Sequence, residues 1–152
     1  MAIEAPLSRH KRNDFILYIV ACLAAAAWFA YDGYISTSFR QEHTDEQGKP
    51  DSALVINRQA PPFLVGGAVL LGAYFWAIKG RKVVAAETEL VIAGREKIPY
   101  DAIEQIDKTH FEKKGVFTIT YKKDGRTVSR KLTDRQYEPL APILDHLIAK
   151  IT

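Results

Sequence analysis

The chain contains two long apolar runs, followed by a region in which apolar and polar residues alternate. None of its charged residues, 21 Lys or Arg and 18 Asp or Glu, lies between Phe15 and Tyr31 or between Ala60 and Ile78, windows of 17 and 19 residues. A helix needs about 20 apolar residues to cross the hydrocarbon core of a bilayer, where a helix satisfies its own backbone hydrogen bonds. The pattern therefore predicts transmembrane helices over residues 15–35 and 60–79.

Two other interpretations of these runs stay open. The "RHKR" before the first run and the alanines within it fit a secretory signal peptide, although Trp28, Phe29 and Tyr31 follow the alanines without a convincing cleavage site. Both runs can also be buried helices of a soluble core. Their length and their complete lack of charge favour membrane spans over either alternative.

Basic residues near the ends of the runs predict the orientation in the membrane, because basic flanks are retained on the cytoplasmic side. Three basic residues precede the first run, five follow the second, and the segment between them has only three, diluted by acids. The eight flanking residues are Arg9, Lys11, Arg12, Lys79, Arg81, Lys82, Arg95 and Lys97. We therefore expect an integral inner-membrane protein with residues 1–14 as a cytoplasmic tail and residues 36–59 as an extracytoplasmic loop.

The outer segment is polar and rich in turn-forming residues, so we expect a mostly solvated loop with a small ordered patch over residues 53–56. Pro61 and Pro62 are expected to mark the start of the second helix.

Within the spans, small residues recur four apart, a spacing that lets helix backbones approach closely in lipid. These candidate packing residues are Ala21, Ala25, Ala68 and Gly72. They can join the two spans as a hairpin or join a span to another subunit. Cys22, the single cysteine, lies inside the first span and has no intrachain partner for a disulfide.

From residue 82 the pattern changes to a period of two, which is typical of strands. Six short strands are predicted, and the "KDGR" stretch between the last two is a strong hairpin signal, because Asp-Gly readily adopts positive φ angles. Apolar residues then recur at spacings of three and four from near Glu138 to Ile151, which predicts an amphipathic helix. The expected fold of residues 82–152 is a small α+β domain, an antiparallel curved sheet or partial barrel capped by the C-terminal helix.

The stretch "AAETELVIAGREKIPYDAIEQI" carries a resemblance to a known family. Its strand, turn and strand, followed by Ile98, Pro99 and Tyr100 and then by Ile103 and Ile106, resembles the pleckstrin-homology-like domains that bacteria attach to paired transmembrane helices. The resemblance covers residues 82–151. It implies a seven-stranded barrel, whereas the pattern of this chain gives six strands. It also implies an interaction or scaffolding module rather than an enzyme.

The residues that usually carry catalysis or metal binding are scattered along this chain. Its four histidines, His10, His43, His110 and His146, do not have the spacing of metal ligands. Asp145 and His146 are neighbours on the last helix and therefore point in different directions. No nucleophile elbow and no Gly-rich phosphate loop occurs. We therefore expect a non-enzymatic protein without cofactor or metal.

Basic residues concentrate between residues 108 and 131, a stretch that contains eight Lys or Arg and only two acidic residues. Such a region beside a cytoplasmic leaflet attracts anionic lipid, but lysines also protect exposed sheet edges from aggregation. The candidate lipid-binding or partner-binding residues are Lys113, Lys114, Lys122, Lys123, Arg126 and Arg130. Nucleic acid is not an expected partner, because residues 82–152 carry 13 basic and 11 acidic residues and no recognition helix.

The sequence thus predicts a scaffold whose cytoplasmic domain docks a protein partner, as an accessory subunit of a membrane assembly. The alternative is a sensor of anionic lipid that acts through the basic hairpins.

Overall fold

The chain folds into two units of different character, and the computed structural model describes all 152 residues. Residues 14–77 form a helical unit, and residues 1–13 join residues 78–152 in a second unit, the β unit. The β unit includes the N-terminal residues that the sequence suggested were a tail.

The helical unit is built around two helices, α1 (Arg9–Ala30) and α3 (Ser52–Ile78). A π-helical turn, Tyr31–Ile35, extends α1, so that Arg9–Ile35 and Ser52–Ile78 each span 27 residues. Both are long and apolar enough to cross a membrane, and only 11% of the most apolar window of each is buried. Many large apolar side chains of these helices are exposed, including Leu17, Val20, Phe63, Val69 and Leu70.

The segment between the long helices is more ordered than the sequence suggested. It contains a short helix, α2 (Thr37–Glu42), and a β-bridge between Thr44 and Pro50, and α3 starts at Ser52 rather than at residue 60. Asp51 caps α3, because its Oδ1 accepts a hydrogen bond of 2.9 Å from the backbone N–H of Leu54. This bond and the contact with His43 lower the pKa of Asp51.

Pro61 and Pro62 lie inside α3, not at its start. A proline within a helix leaves the carbonyl four residues earlier without its usual donor, here the carbonyls of Asn57 and Arg58. The Arg58 carbonyl accepts instead from the Tyr34 hydroxyl at 3.0 Å. The Arg58 Nε in turn donates to the Gly33 carbonyl at 3.0 Å. The carbonyl that Pro62 leaves without its helical donor is therefore satisfied by the π-helical turn.

The β unit contains two antiparallel sheets, of four and three strands. The first has the order β1-β2-β3-β4 and the second the order β5-β6-β7. The strands are β1 (Ile3–Pro6), β2 (Lys82–Ala85), β3 (Glu89–Ile92), β4 (Glu96–Pro99), β5 (Ile103–Asp107), β6 (Val116–Lys123) and β7 (Arg126–Thr133). A short helix, α4 (Phe111–Lys114), joins β5 to β6, and α5 (Ala141–Ile151) ends the chain. The sheets do not close into a continuous barrel, so the predicted single curved sheet is replaced by two sheets.

The seventh strand is β1, which the sequence analysis missed. Its residues pair with β2 from Ile3 opposite Ala85 to Pro6 opposite Lys82, and Ala5 is fully buried. Directly after β1, Leu7 forms an isolated antiparallel β-bridge with Tyr137. Four residues are too few to show a period, and the pairing partner lies beyond both long helices, so the pattern of neighbouring residues could not indicate this strand.

The later part of the β unit follows the sequence prediction more closely. Asp124 and Gly125 form the turn between β6 and β7 with φ angles of 52° and 74°, which confirms the predicted hairpin. The alternation in β6 is also confirmed, since Phe117, Ile119 and Tyr121 are buried. Helix α5 starts at Ala141 rather than near Glu138, because Pro139 and Leu140 still belong to the connection that leads into it. Its residues Ile143, Leu144 and Leu147 cover the core between the sheets.

Candidate functional site: a basic cleft at the start of the first helix

The six basic residues singled out in the sequence do not form one surface. Lys113 and Lys114 lie on α4, before the start of β6, whereas Lys122 and Lys123 lie at its other end. Since β6 has eight residues at about 3.4 Å each, its two ends are about 24 Å apart. A single lipid headgroup or peptide side chain therefore cannot contact both groups.

Arg130 has a structural role that the sequence did not indicate. Its Nε lies 2.8 Å from Glu96 Oε2, and the Tyr121 hydroxyl donates to the same carboxylate, so that Glu96 of β4 is tied to β6 and β7. Burial acts to raise the pKa of Glu96, but the hydrogen bonds from Tyr121 and Arg130 outweigh it and the pKa is lowered. Burial, and then the bond to Glu96, raises the pKa of Tyr121. Arg130 thus joins the two sheets.

The remaining three candidates cluster at the tip of the β6–β7 hairpin. Lys123 and Arg126 are opposite each other in the ladder, on either side of the Asp124-Gly125 turn, and both are exposed. Lys122 lies 3.3 Å from Glu104 of β5. The hairpin tip therefore carries local positive charge, but it projects from the sheet and has no enclosing wall.

Of three cavities in the β unit, the most basic lies where α1 begins. It has a volume of about 670 Å³. It is lined by Pro6, Leu7, Ser8, Arg9, Arg12, Lys79, Glu138 and Pro139. We refer to it as the helix-start cleft. Three basic side chains and one acidic side chain face it, whereas the other cavities of the β unit have a more even charge.

Ser8 fixes the geometry of this cleft. It is almost fully buried, its hydroxyl donates to the Arg135 carbonyl, and its Oγ accepts from the backbone N–H of Lys11 at 3.1 Å, which caps α1. Its backbone N–H donates to the Gln136 carbonyl at 2.9 Å. The first turn of α1 is therefore attached to the connection before α5, and the side chains of Arg9 and Arg12 project from a fixed backbone.

The second wall of the cleft comes from the same connection. The backbone N–H of Glu138 donates to the Pro6 carbonyl at 2.9 Å, so that the segment after β7 runs alongside the segment after β1. Lys79, which directly follows α3, completes the lining. In the sequence, Arg9, Arg12 and Lys79 indicated only the orientation in the membrane. Their positions at the ends of both apolar runs were the signal that could have placed them together.

The candidate packing residues differ in their surroundings. Ala68 is buried, Ala25 and Gly72 are partly buried, and Ala21 is exposed. A Cβ atom added at Gly72 would meet nothing within 4 Å. Close approach occurs instead at Gly33, where a Cβ atom would lie 2.9 Å from the Asn57 carbonyl oxygen. Among the glycines of the helical unit, the tight backbone contact is thus at Gly33 in the π-helical turn.

Two of the four histidines make local side-chain contacts. His43 Nδ1 lies 2.7 Å from Asp51 Oδ2, and His146 Nε2 lies 3.3 Å from the Ala86 carbonyl, with its ring against Tyr100. The structure contains no group of three or more His, Cys, Asp or Glu side chains arranged to hold a metal ion.

In comparisons with known proteins, no family model, no curated protein and no solved structure matches this chain.

Proposed function

We propose that this chain is a two-span integral membrane protein whose β unit is a non-enzymatic, pleckstrin-homology-like interaction module. In this proposal the β unit lies on the cytoplasmic side of the inner membrane and docks a protein partner, as an accessory subunit of a membrane assembly.

The observation that carries the proposal is the contrast in apolar exposure between the two units. Large side chains of α1 and α3 such as Phe63 and Leu70 are 79% and 73% exposed, whereas Leu90, Ile98 and Ile143 of the β unit are fully buried. Core helices of a soluble protein bury their apolar side chains, and soluble proteins rarely expose large contiguous apolar surfaces. A lipid environment around α1 and α3 accounts for this contrast.

The strand count supports the pleckstrin-homology-like part of the proposal. Seven strands in sheets of four and three, followed by a single C-terminal helix, agree with the number that the resemblance implies, once β1 is included. The pairing of β1 with β2 also means that both long helices start or end in the β unit. A domain attached in this way at two points is held close to the bilayer, where a membrane-embedded partner can be reached.

The experiment that tests the proposal is affinity purification of the full-length tagged chain in mild detergent, with stoichiometry measured by quantitative mass spectrometry. Ile98→Asp places a charge in the core of the β unit and should unfold it, whereas Ile98→Val is the matched conservative change. We expect a stoichiometric membrane protein to copurify with the wild type and with Ile98→Val, and to be lost with Ile98→Asp. A protein that purifies alone, or that is released from membranes without detergent, would contradict the proposal.

A direct interaction with anionic lipid is the second candidate function, and the helix-start cleft favours it. The hairpin tip with Lys122, Lys123 and Arg126 offers a weaker surface, because its side chains are exposed and Lys122 is already paired with Glu104. A test on the isolated fragment 82–152 is unsuitable, since that fragment lacks β1, so lipid binding has to be measured on the full chain.

A further inference from the structure

We infer that the helix-start cleft binds the phosphate group of an anionic lipid headgroup. This inference rests on the proposed membrane location and adds a ligand class and a site to it. The shared chemistry is a phosphate ester with net negative charge, which a membrane lipid or a free phosphate compound can supply.

The charge of its lining distinguishes the cleft from the other cavities of the β unit. The charged residues that line it are Arg9, Arg12, Lys79 and Glu138, which give a formal net charge of +2. The cavity of about 330 Å³ beside α4 combines Lys114 and Lys131 with Asp107. The cavity of about 450 Å³ beneath α5 combines Lys108 with Glu112 and Asp145, a net charge of −1. Of these three cavities, the helix-start cleft has the largest excess of cations, since the cavity beside α4 has a formal net charge of +1.

The two arginines are placed to act together. Residues three apart on a helix lie on the same face, so Arg9 and Arg12 present their guanidinium groups to one side of α1. Neither is part of any ion pair in the structure. A guanidinium group matches two oxygens of a phosphate group at once, and Lys79 adds a point charge from the other chain segment. The cleft therefore offers two planar donors that no ion pair occupies.

The size and position of the cleft fit a headgroup. Its volume of about 670 Å³ lies in the range of roughly 300–1,000 Å³ that small-molecule sites occupy. Arg9 is the first residue of one apolar helix and Lys79 directly follows the other. If these helices span a bilayer, residues at such positions are at the depth of the lipid headgroups, where basic pockets beside membrane helices bind anionic lipids.

The test uses the full-length protein in a nonionic detergent with water-soluble lipids that have eight-carbon chains. Affinity for dioctanoyl phosphatidylglycerol is measured from thermal stabilisation and, independently, from lipid retention in native mass spectrometry. Dioctanoyl phosphatidylcholine is the zwitterionic comparison, and inorganic phosphate is the probe for a free anion. We expect phosphatidylglycerol to bind at least about tenfold more tightly than either of the other two, because the cleft is cationic and the proposed membrane location places it beside the acyl chains.

Variants locate the site. Arg9→Gln with Arg12→Gln should weaken phosphatidylglycerol binding by about tenfold or more, as the loss of two close charges predicts. Lys108→Gln with Lys131→Gln removes the same charge outside the cleft and should change binding by less than about twofold. Lys79→Gln is a second variant within the cleft, used if the double variant melts at a lower temperature without lipid, and should also weaken binding.

Four results would overturn the inference. Equal binding of phosphatidylcholine would exclude recognition of charge, and equal binding of inorganic phosphate would make a free anion the ligand instead of a lipid. Equal losses in the two double variants would indicate non-specific attraction. A larger loss in Lys122→Gln with Lys123→Gln would move the site to the hairpin tip. Failure of the proposed membrane location would be seen separately, as release of the protein from membranes by alkaline carbonate, so the two failures are distinguishable.

Discussion

A Cβ atom added at Gly33 would lie 2.9 Å from the carbonyl oxygen of Asn57 and 3.0 Å from its carbonyl carbon. The atoms that it would meet belong to the backbone of α3, which cannot rotate away as a flexible side chain can. The glycines within α3 are different, since a Cβ atom at Gly66, Gly67 or Gly72 would meet nothing within 4 Å. At the scale of single residues, close approach of two backbones therefore distinguishes one glycine from the others.

We expect Gly33→Ala to destabilise the helical unit by about 1–3 kcal/mol, the usual cost of forcing an extra methyl group into a tight contact. Gly67→Ala is the matched control and should be neutral or stabilising by up to about 1 kcal/mol, because alanine favours a helix more than glycine does. Thermal unfolding of the full chain in detergent, followed by far-ultraviolet circular dichroism, measures both. Equal melting temperatures for the two variants would contradict the contact with Asn57.

Glu96 gives a second prediction at the same scale, because its pKa is lowered in the folded protein. Burial opposes the shift, and the hydrogen bonds from Tyr121 and Arg130 outweigh it. A carboxyl group with a lowered folded pKa contributes stability above its unfolded pKa and loses that contribution as the pH falls through the folded pKa. We expect Glu96→Gln to lower the free energy of unfolding of the β unit by about 1–2 kcal/mol near neutral pH.

The difference between wild type and Glu96→Gln should shrink as the pH falls below the ordinary value of 4.5. Hydrogen exchange of the β6 amides measures this difference in unfolding free energy, since these amides report on unfolding of the β unit. Glu104→Gln is the control: Glu104 lies 3.3 Å from Lys122, but both side chains are well exposed, so its loss should cost less than about 0.5 kcal/mol. A Glu96→Gln difference that does not vary with pH would argue against the paired carboxylate.

At the scale of elements, prediction from sequence succeeded where a pattern is local. The apolar runs, the alternation in β6 and the Asp124-Gly125 turn are each specified by residues close in the chain. The start of α3 was missed although a signal was present, because Asp51 stands directly before the helix as an N-cap. Strand β1 had no such signal, because its partner β2 begins at Lys82 and only the folded β unit brings the two together.

The same applies to the candidate site. Charge counts directed attention to residues 108–131, where the density of lysine is highest, but the ladder separates those residues along β6. The residues of the helix-start cleft come from three distant segments of the chain: residues 6–12, Lys79, and Glu138 with Pro139. Their proximity depends on the pairing of β1 with β2 and on the bond between Ser8 and Gln136, neither of which a linear pattern specifies.

Strand β1 leads to a prediction about which fragments fold. Residues 82–152 alone should be unstructured or partly folded, because the loss of β1 exposes one edge of the first sheet and the buried surface around Ala5. Residues 1–8 joined by a short Gly/Ser linker to residues 81–152 should form a soluble folded domain. Dispersion of amide signals in proton–nitrogen NMR spectra distinguishes the two. A well-dispersed spectrum from fragment 82–152 would show that β1 is dispensable.

At the scale of the whole molecule, the pairing of β1 with β2 constrains topology. One strand precedes α1 and the other follows α3, yet they share a ladder of four residue pairs. If both helices cross a bilayer, the N-terminal and C-terminal parts of the chain must therefore lie on the same side. The distribution of Lys and Arg then predicts the cytoplasmic side. Hydrogen bonds within the β unit and charge around the helices are independent sources of information on the topology.

Labelling of single cysteines with a membrane-impermeant maleimide tests this topology. In a Cys22→Ala background, Ala2→Cys, Gln47→Cys and Asp124→Cys each place one reactive thiol at an exposed position. We expect intact cells to label only Gln47→Cys, and permeabilised cells to label all three. Labelling of Ala2→Cys and Asp124→Cys in intact cells, with Gln47→Cys protected, would reverse the orientation but leave the pairing of β1 with β2 possible. Opposite accessibility of Ala2→Cys and Asp124→Cys would be incompatible with that pairing, because two strands of one sheet cannot lie on opposite sides of a membrane.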